Sequence, residues 1–202
     1  MLQGTAADTG EESYQIEKSL RFNSVDTAKL TRTPGSEGNR RTWTWSGWVK
    51  RSKLGSDEAF FAGGESNPIT TLRFRKGSGT DNSIYLFHYA GSMSWELATN
   101  AQYKDTSSWY HIVVAYDSTD ATSSERVKLF VNGKQVTSFE TASYPSQNFE
   151  SSISDNVIQT IGVNGTASNY FNGYLTDVYF IDGLALSPAA FGSFDSTGVW
   201  YP

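Results

Sequence analysis

The chain has 202 residues, with 16 Lys or Arg against 21 Asp or Glu, which gives a formal net charge of −5. It contains no cysteine and only two histidines, which excludes disulfide scaffolds and thiol catalysis and argues against a multi-histidine metal site. The acidic balance argues against binding to a nucleic-acid backbone, and no apolar run reaches the roughly 20 residues of a membrane-spanning helix.

The sequence predicts one domain over residues 14–202, preceded by a flexible lead-in at residues 1–13 that shows no periodicity. The chain stops just after Trp200-Tyr201, which is typical of a trimmed chain. Between these ends, short apolar or alternating runs are separated by turn residues. They predict strands at residues 20–23, 28–31, 42–50, 59–62, 71–75, 84–89, 94–97, 109–116, 126–131, 157–163 and 170–181.

Two local signals define this pattern further. Asn132-Gly133 lies between two alternating runs and predicts a hairpin, because both central residues of a type I′ turn need a positive φ. Helix is predicted only for one turn at residues 187–191, with Ser187 as its cap and Pro188 at its first position. Many strands without intervening helices indicate an antiparallel sandwich or barrel, so the predicted fold class is all-β.

Several segments resemble the laminin-G-like and pentraxin branch of the concanavalin A-like lectin/glucanase domains. They are the opening Leu20-Arg21-Phe22, the strand Trp45-Ser46-Gly47-Trp48-Val49, the run Trp109-Tyr110-His111-Ile112-Val113, the hairpin Leu129-Phe130-Val131-Asn132-Gly133, and the strand Phe171-Asn172-Gly173-Tyr174-Leu175-Thr176-Asp177-Val178. The likeness covers residues 18–192 in the expected order. It implies a two-sheet antiparallel jelly-roll sandwich in which loops set the function.

Other segments are similar to domains in virion proteins of tailed phages, especially aquatic phages. These segments are Ser19-Leu20-Arg21-Phe22-Asn23-Ser24, Thr42-Trp43-Thr44-Trp45-Ser46-Gly47-Trp48-Val49-Lys50-Arg51 and Ile181-Asp182-Gly183-Leu184-Ala185-Leu186-Ser187-Pro188. The resemblance implies a non-enzymatic module on the virion surface: a fibre, spike, collar or head decoration. Its expected partners are other virion proteins or copies of itself, and host-surface glycans. A purely structural decoration domain and a secreted bacterial carbohydrate-binding or adhesin module remain the alternatives.

The acidic residues do not predict a glycosidase. Retaining hydrolysis needs an acid and a nucleophile about 5 Å apart, which alternate positions on one strand would provide. No predicted strand carries two carboxylates at alternate positions with a third nearby.

Metal and histidine chemistry are weakly indicated. The family often binds Ca²⁺ through loop acids, but here Asp117, Asp120, Asp155 and Asp177 are scattered, so solvated loop acids are the favoured interpretation and no cofactor is expected. His111 lies in an apolar strand, which favours a histidine that is hydrogen-bonded to a neighbour.

The carbohydrate hypothesis rests on aromatic rings next to polar side chains in two segments, at residues 89–95 and 164–170. Trp95 is the leading candidate, as an exposed platform on the loop rim, although aromatic residues in a sandwich usually belong to the core. The other candidate binding residues are Tyr89, Ser92, Asn164, Asn169 and Tyr170.

Overall fold

The computed structural model describes residues 16–77, 81–165 and 167–202, so the predicted lead-in at residues 1–13 lies outside the described residues. Two antiparallel sheets pack face to face, which confirms the predicted jelly-roll sandwich. No helix within the described ranges is long and apolar enough to cross a membrane.

The described residues form strands β1 (Leu20–Phe22), β2 (Leu30–Arg32), β3 (Thr42–Arg51), β4 (Glu58–Gly63), β5 (Ile69–Phe74), β6 (Ile84–Tyr89), β7 (Met93–Thr99), β8 (Tyr110–Asp117), β9 (Val127–Val131), β10 (Lys134–Gln135), β11 (Phe139–Ser143), β12 (Gln159–Ile161), β13 (Gly173–Asp182), β14 (Ser193–Phe194) and β15 (Trp200–Tyr201). One sheet has the order β1-β13-β3-β8-β9-β10 and the other the order β11-β7-β6-β5-β4-β12-β2. Strands β14 and β15 form a separate hairpin.

The local signals in the sequence have the predicted structures. Asn132 and Gly133 have φ angles of 49° and 75° and join β9 to β10. A 3-10 turn at Pro188–Ala190 follows Ser187, with proline at its start. A second 3-10 turn, Ser123–Glu125, and the short strands β11, β14 and β15 were not predicted, because their sequences are too short or too polar for a clear period.

The space between the sheets is filled mainly by aromatic side chains. Trp43 and Trp45 lie at alternate positions along β3 and point into this space. The Trp43 ring stacks on Tyr116 with 4.8 Å between the ring centroids, and the Trp45 and Phe60 ring centroids are 5.5 Å apart. Burying rings of this size removes a large apolar area from water, which is the main favourable term in folding. The alternation on β3 therefore determines which face of its sheet is the inner one.

One charged pair is buried between the two sheets. Arg51, at the end of β3, contacts Glu58 of β4 at 2.9 Å, and both side chains are fully buried. The guanidinium also donates to Asn82 Oδ1 and to the Tyr103 carbonyl, and it lies 4.2 Å from the Phe74 ring centroid. Desolvation lowers the pKa of Arg51 and raises that of Glu58, so burial opposes both charges, and the ion pair with its hydrogen bonds offsets part of that cost.

We predict that Arg51→Met destabilises the domain by about 3–5 kcal/mol, because it leaves the Glu58 carboxylate buried without its cation. Urea unfolding measures the change. The double variant Arg51→Met/Glu58→Gln removes both charges and should be more stable than the single variant. A single variant within about 1 kcal/mol of the parent would contradict the prediction, since buried charges that lose a partner cost more than that.

The outer face of the six-stranded sheet is covered by residues 184–202. Thr44 Oγ1 donates to the Leu184 carbonyl at 2.6 Å and accepts from the Leu186 N–H at 2.7 Å. On the neighbouring strand β8, Trp200 from β15 donates a hydrogen bond to His111. The C-terminal segment therefore forms a third layer, held to β3 and β8 by side-chain hydrogen bonds.

His111 is neutral at the centre of this contact. Its Nδ1 accepts the Trp200 indole N–H at 2.9 Å, and since an indole nitrogen only donates, the imidazole proton lies on Nε2 and is donated to Ser46 Oγ at 2.9 Å. The Trp200 ring also stacks on the imidazole at 5.7 Å. Burial lowers the pKa of His111 to about 4, although Asp177 opposes the shift. The predicted hydrogen-bonded histidine is thus confirmed.

His88 is also buried, on the inner face of β6. Its Nδ1 lies 2.8 Å from Thr70 Oγ1, and that oxygen accepts the Ser152 N–H at 3.0 Å. Burial, assisted by the charge of Arg40, lowers the pKa of His88 to about 4. Both faces of β6 are buried over most of its length, because Tyr85 and Phe87 on the outer face are covered as well, whereas Tyr89 at its end is exposed.

We predict that acid destabilises the domain through these two histidines. In the unfolded chain each takes up a proton near pH 6.5, whereas in the fold it stays neutral down to about pH 4. The unfolded state therefore binds more protons in this window, and stability falls as the pH drops from about 6.5 to about 4, by about 3 kcal/mol per histidine at the lower end.

An NMR titration of the imidazole C–H resonances checks this prediction directly, because the chain has only two histidines. Both should remain neutral until the pH approaches 4. If either histidine titrates near pH 6.5 in the folded protein, that histidine does not contribute to the loss of stability in acid.

Candidate functional site

Trp95, the leading sequence candidate, is a core residue, so the prediction of an exposed platform was wrong. Trp95 is 0% exposed, and its ring packs against that of Tyr116 with 5.8 Å between the ring centroids. Trp95 pairs with His88, and Leu97 two residues later pairs with Leu86. Because side chains alternate along a strand, both Trp95 and Leu97 point between the sheets. The sequence interpretation overlooked this short apolar alternation beside the hairpin.

We predict that Trp95→Ala lowers stability by about 3–5 kcal/mol, as expected for truncation of a buried indole. At this chain length the melting temperature should fall by at least about 6 °C. Tyr89→Ala is the matched control, since Tyr89 is 37% exposed and its loss should shift the melting temperature by no more than about 2 °C. Equal melting temperatures for Trp95→Ala and the parent would contradict the buried assignment.

Tyr89 and Ser92 lie at the β6–β7 hairpin and are exposed, as predicted for a rim. The Tyr89 hydroxyl donates to the Gly91 carbonyl at 2.9 Å, so the ring folds back over its own turn. A Cβ on Gly91 would lie 3.7 Å from Asn67 Nδ2, which places this hairpin beside the 64–68 turn. The hairpin therefore joins a rim of neighbouring loops, but these contacts do not form a cavity.

Asn164, Asn169 and Tyr170 belong to a loop that leaves β12 and returns along β4. The Asn164 N–H donates to the Ser168 carbonyl at 3.2 Å, and the Ala59 N–H donates to the Asn169 carbonyl at 2.8 Å. These bonds close the loop against the sheet, and Thr166 within it lies outside the described residues. The two predicted segments thus lie at the same side of the seven-stranded sheet, both beside the 64–68 turn.

The outer face of the seven-stranded sheet carries aromatic rings that are already covered. Tyr85 and Phe87 stack at 4.8 Å but are only 5% and 8% exposed. The Arg73 guanidinium lies 5.2 Å and 5.0 Å from their ring centroids, and that of Arg75 lies 5.2 Å from Tyr85. The Tyr85 hydroxyl donates to Glu96. Since the arginines occupy the ring faces, this surface is a packed layer and not an open stacking platform.

A cleft of 580 Å³ opens at the edge of the sandwich, between the two sheets. Among the described residues, β1 pairs with β13 only at residues 173–175, and no described strand pairs with the second half of β13 on that side. The opposite wall consists of β2 and β12. A volume of this size is typical of small-molecule sites in proteins.

Strand register shows which side chains line the cleft. On β13, Phe180 pairs with Trp45 and Asp182 with Trp43, so both point inward from the six-stranded sheet. On the other wall, Arg32 pairs with Gln159, which in turn pairs with Gly63. The strand residues that line the cleft are Leu30, Thr31, Arg32, Phe61, Gln159, Thr160, Ile161, Phe180 and Asp182.

Phe180 provides an accessible aromatic surface in this cleft. The residue is 38% exposed. Its ring centroid lies 6.0 Å from that of Phe61 and 6.2 Å from that of Trp43, and both of these residues are buried in the core. The ring is thus supported from below by fixed neighbours while one side remains open. A rigid apolar wall of this kind binds a ligand surface at little cost in side-chain entropy.

Asp182 provides the polar group next to this ring. Its Oδ1 accepts the Asn39 N–H at 2.8 Å and the Ser154 hydroxyl at 2.7 Å. A Cβ on Gly38 would collide with the carboxylate, so only glycine at that position lets the loop pack against it. Asp182 is therefore fixed by one oxygen, while the side chain as a whole is exposed at the cleft mouth.

Gln159 anchors the opposite wall. Its Nε2 donates to the carbonyls of Ser152 at 3.0 Å and Val157 at 3.2 Å, which ties the 152–158 loop to β12. Its Oε1 is buried and receives no hydrogen bond from the part of the chain that the structure describes. The amide thus fixes the loop above the cleft and carries an unsatisfied acceptor beside the binding space, a feature that is rare in protein interiors.

This cleft was not predicted from the sequence. None of the six predicted binding residues is among the described residues that line the cleft. Phe180 was assigned to a strand and Asp182 to a turn, although a phenylalanine and an aspartate two positions apart share one face of a strand. That spacing was the available signal in the sequence. An aspartate on the inner face of a strand indicates a binding site only when the edge of the sandwich is known to be open.

Three of the acids considered for calcium have other partners among the described residues. Asp117 Oδ1 accepts the N–H and the hydroxyl of Thr119, and Asp155 is paired with Arg40 at 3.0 Å. Asp177 is on β13, apart from these loops. Within the ranges that the structure describes, no three histidine or acidic side chains converge closely enough to hold a metal ion.

Comparisons with known proteins agree with the observed fold. The Laminin_G_3 family, described as the concanavalin A-like lectin/glucanases superfamily, matches residues 23–190. Among solved structures, domain 4 of AbnA, a GH43 extracellular arabinanase from Geobacillus stearothermophilus in complex with arabinotriose, is similar with a TM-score of 0.58 at 21% identity. That match covers 80% of this chain and 68% of the other.

Two further structures share the architecture. The heptameric SAP-like pentraxin from Limulus polyphemus has a TM-score of 0.52 at 15% identity, over 83% of this chain and 72% of that chain. The enzymatically active domain of tailspike protein 2 from bacteriophage CBA120 has a TM-score of 0.58 at 16% identity, over 84% of this chain and 25% of that chain. No curated protein sequence matches. At these identities the structural likeness concerns the fold alone.

Proposed function

The chain belongs to the concanavalin A-like lectin/glucanase superfamily, and we propose that it is a carbohydrate-binding module whose ligand occupies the cleft at the open edge of the sandwich. The observation that carries this proposal is the pairing of Phe180, an open and supported ring, with the carboxylate of Asp182 on the same strand face. The arabinanase domain with arabinotriose is one example of this fold holding a sugar.

The chemistry of a sugar matches these two groups. A pyranose or furanose ring presents C–H bonds on one face, and their partial positive charge is attracted to the negative face of an aromatic ring. Its hydroxyl groups lie around the edge and donate strong hydrogen bonds to a carboxylate. A saccharide stacked on Phe180 would direct hydroxyls toward Asp182, which lies two residues along the strand.

The proposed module binds without hydrolysing its ligand. The carboxylates that line the cleft are Asp182 and Glu37, and Asp182 Oδ1 is already occupied by Asn39 and Ser154. A residue fixed in this way is suited to hold a hydroxyl and less suited to exchange a proton. Release of reducing sugar from a bound glycan by the purified domain would contradict this part of the proposal.

We further infer that the module is displayed on a phage virion, where it would bind host-surface glycans or contact other virion proteins. This placement rests on the sequence segments that are similar to phage virion domains, Ser19–Ser24, Thr42–Arg51 and Ile181–Pro188. Tailspike protein 2 of phage CBA120 illustrates that the fold occurs in such a protein. Immunogold labelling of purified particles with an antibody to the domain would test the location.

We predict that Phe180→Ala weakens glycan binding at least tenfold, because it removes the stacking surface. The ring is more than one-third exposed, so the loss of stability should be well below the 3–5 kcal/mol of a buried phenylalanine. A glycan array identifies bound saccharides, and calorimetry with the best of them measures the change in affinity.

Tyr179→Ala is the matched control for this variant. Tyr179 is the preceding residue on the same strand, is 44% exposed, and packs on Phe191 at 6.0 Å on the outer face. Its removal should leave binding unchanged. If Phe180→Ala binds as well as the parent while Tyr89→Ala does not, the site lies on the loop rim and the cleft assignment is wrong.

A further inference from the structure

We propose that the cleft selects neutral saccharides, which Asp182 holds through hydroxyl donors, and rejects saccharides that carry a carboxylate. This inference rests on the proposed function, since it concerns the ligand class of the same site. It follows from the hydrogen-bonding capacity that is left at Asp182 and from the charges that line the cleft.

The carboxylate of Asp182 has one oxygen in use and one available. Both hydrogen bonds that it receives from described residues, from Asn39 N–H and Ser154 Oγ–H, go to Oδ1. A carboxylate has about four lone-pair positions, so Oδ2 retains its capacity for donors. Since the side chain is exposed at the cleft mouth, a ligand that fills the cleft must bring O–H or N–H groups to this oxygen.

The charges at the cleft disfavour an anionic ligand. Among its described lining residues, Asp182 and Glu37 are acidic and Arg32 is basic. Arg40, behind Glu37, is shared among three carboxylates, at 3.6 Å from Glu37, 3.6 Å from Glu150 and 3.0 Å from Asp155. Arg40 therefore does not neutralise Glu37 fully. A sialic or uronic acid carboxylate would enter beside like charges, with one cation available.

The position of Arg32 strengthens this inference. It lies on β2, opposite Gln159 and on the wall that faces Asp182. A basic residue that recognised an acidic sugar would need a site free of competing anions, as in a bidentate guanidinium–carboxylate pair. Here an acidic ligand that reached Arg32 would also lie near Asp182, whereas a neutral sugar can donate to Asp182 and accept from Arg32 at the same time.

The test is a glycan array of matched pairs, lactose against sialyllactose and oligogalactose against oligogalacturonate, followed by calorimetry on the bound members. We expect neutral saccharides to bind at least tenfold more tightly than their acidic counterparts. Their affinity should change little with salt, because screening acts on charged pairs. Asp182→Asn should weaken neutral binding at least tenfold, since it replaces the acceptor Oδ2 with an N–H donor.

Asp182→Asn is designed to keep the fold, because its amide oxygen can still accept from Asn39 and Ser154; an unchanged melting temperature confirms this. Arg32→Gln, on the exposed edge strand, is the second variant, and it removes the lining cation that an acidic saccharide would need. The inference can still be overturned if Asp182→Asn fails to fold. In that case, tight binding of acidic saccharides by the parent domain, abolished in Arg32→Gln, would contradict it.

The outcomes separate the two proposals. If Phe180→Ala abolishes binding but the acidic member of each pair binds as well as or better than the neutral one, the cleft is the site and the neutral selectivity is wrong. Unchanged neutral binding by a folded Asp182→Asn variant overturns the inference as well. If no saccharide binds, or Phe180→Ala has no effect, the proposed function itself fails.

Discussion

The two-sided burial of β3 is the constraint on which the rest of the structure depends. Its inner indoles, Trp43 and Trp45, fill the space between the sheets, and its outer hydroxyls, Thr44 and Ser46, hold the C-terminal layer directly and through His111. A strand that is buried on both faces cannot slip by one residue, because Trp43 and Trp45 would exchange places with hydroxyl residues. This single register fixes the neighbouring strands β8 and β13, and β13 carries the site.

The site exists because the two sheets are unequal at one edge. The six-stranded sheet ends in β1, which pairs with only three residues of β13, whereas the seven-stranded sheet continues through β12 to β2. The inner side chains of β13 beyond that point, Phe180 and Asp182, line the cleft that the described residues form. By contrast, Arg73 and Arg75 fill the outer face of the larger sheet, and residues 184–202 cover the outer face of the smaller one.

Much of the fold could be predicted from the sequence, because strand periodicity and turn chemistry are local. The Asn132-Gly133 hairpin, the turn after Ser187 and most strands follow from such signals. The site could not be predicted in this way. Leu30 and Phe180 meet across 150 positions of sequence, and only the lateral order of strands brings them together. The error at Trp95 has the same origin, since its burial depends on the facing sheet.

The two walls of the cleft belong to different sheets, so a ligand in the cleft would hold the two sheets together. Sandwich domains resist unfolding through the packing between their layers, and at this edge the short β1 leaves that packing incomplete. A ligand that contacts both Phe180 and the β2–β12 wall would act as a non-covalent crosslink across the gap. Its binding energy would add to the stability of the folded state and would slow separation of the layers from the edge where they are least joined.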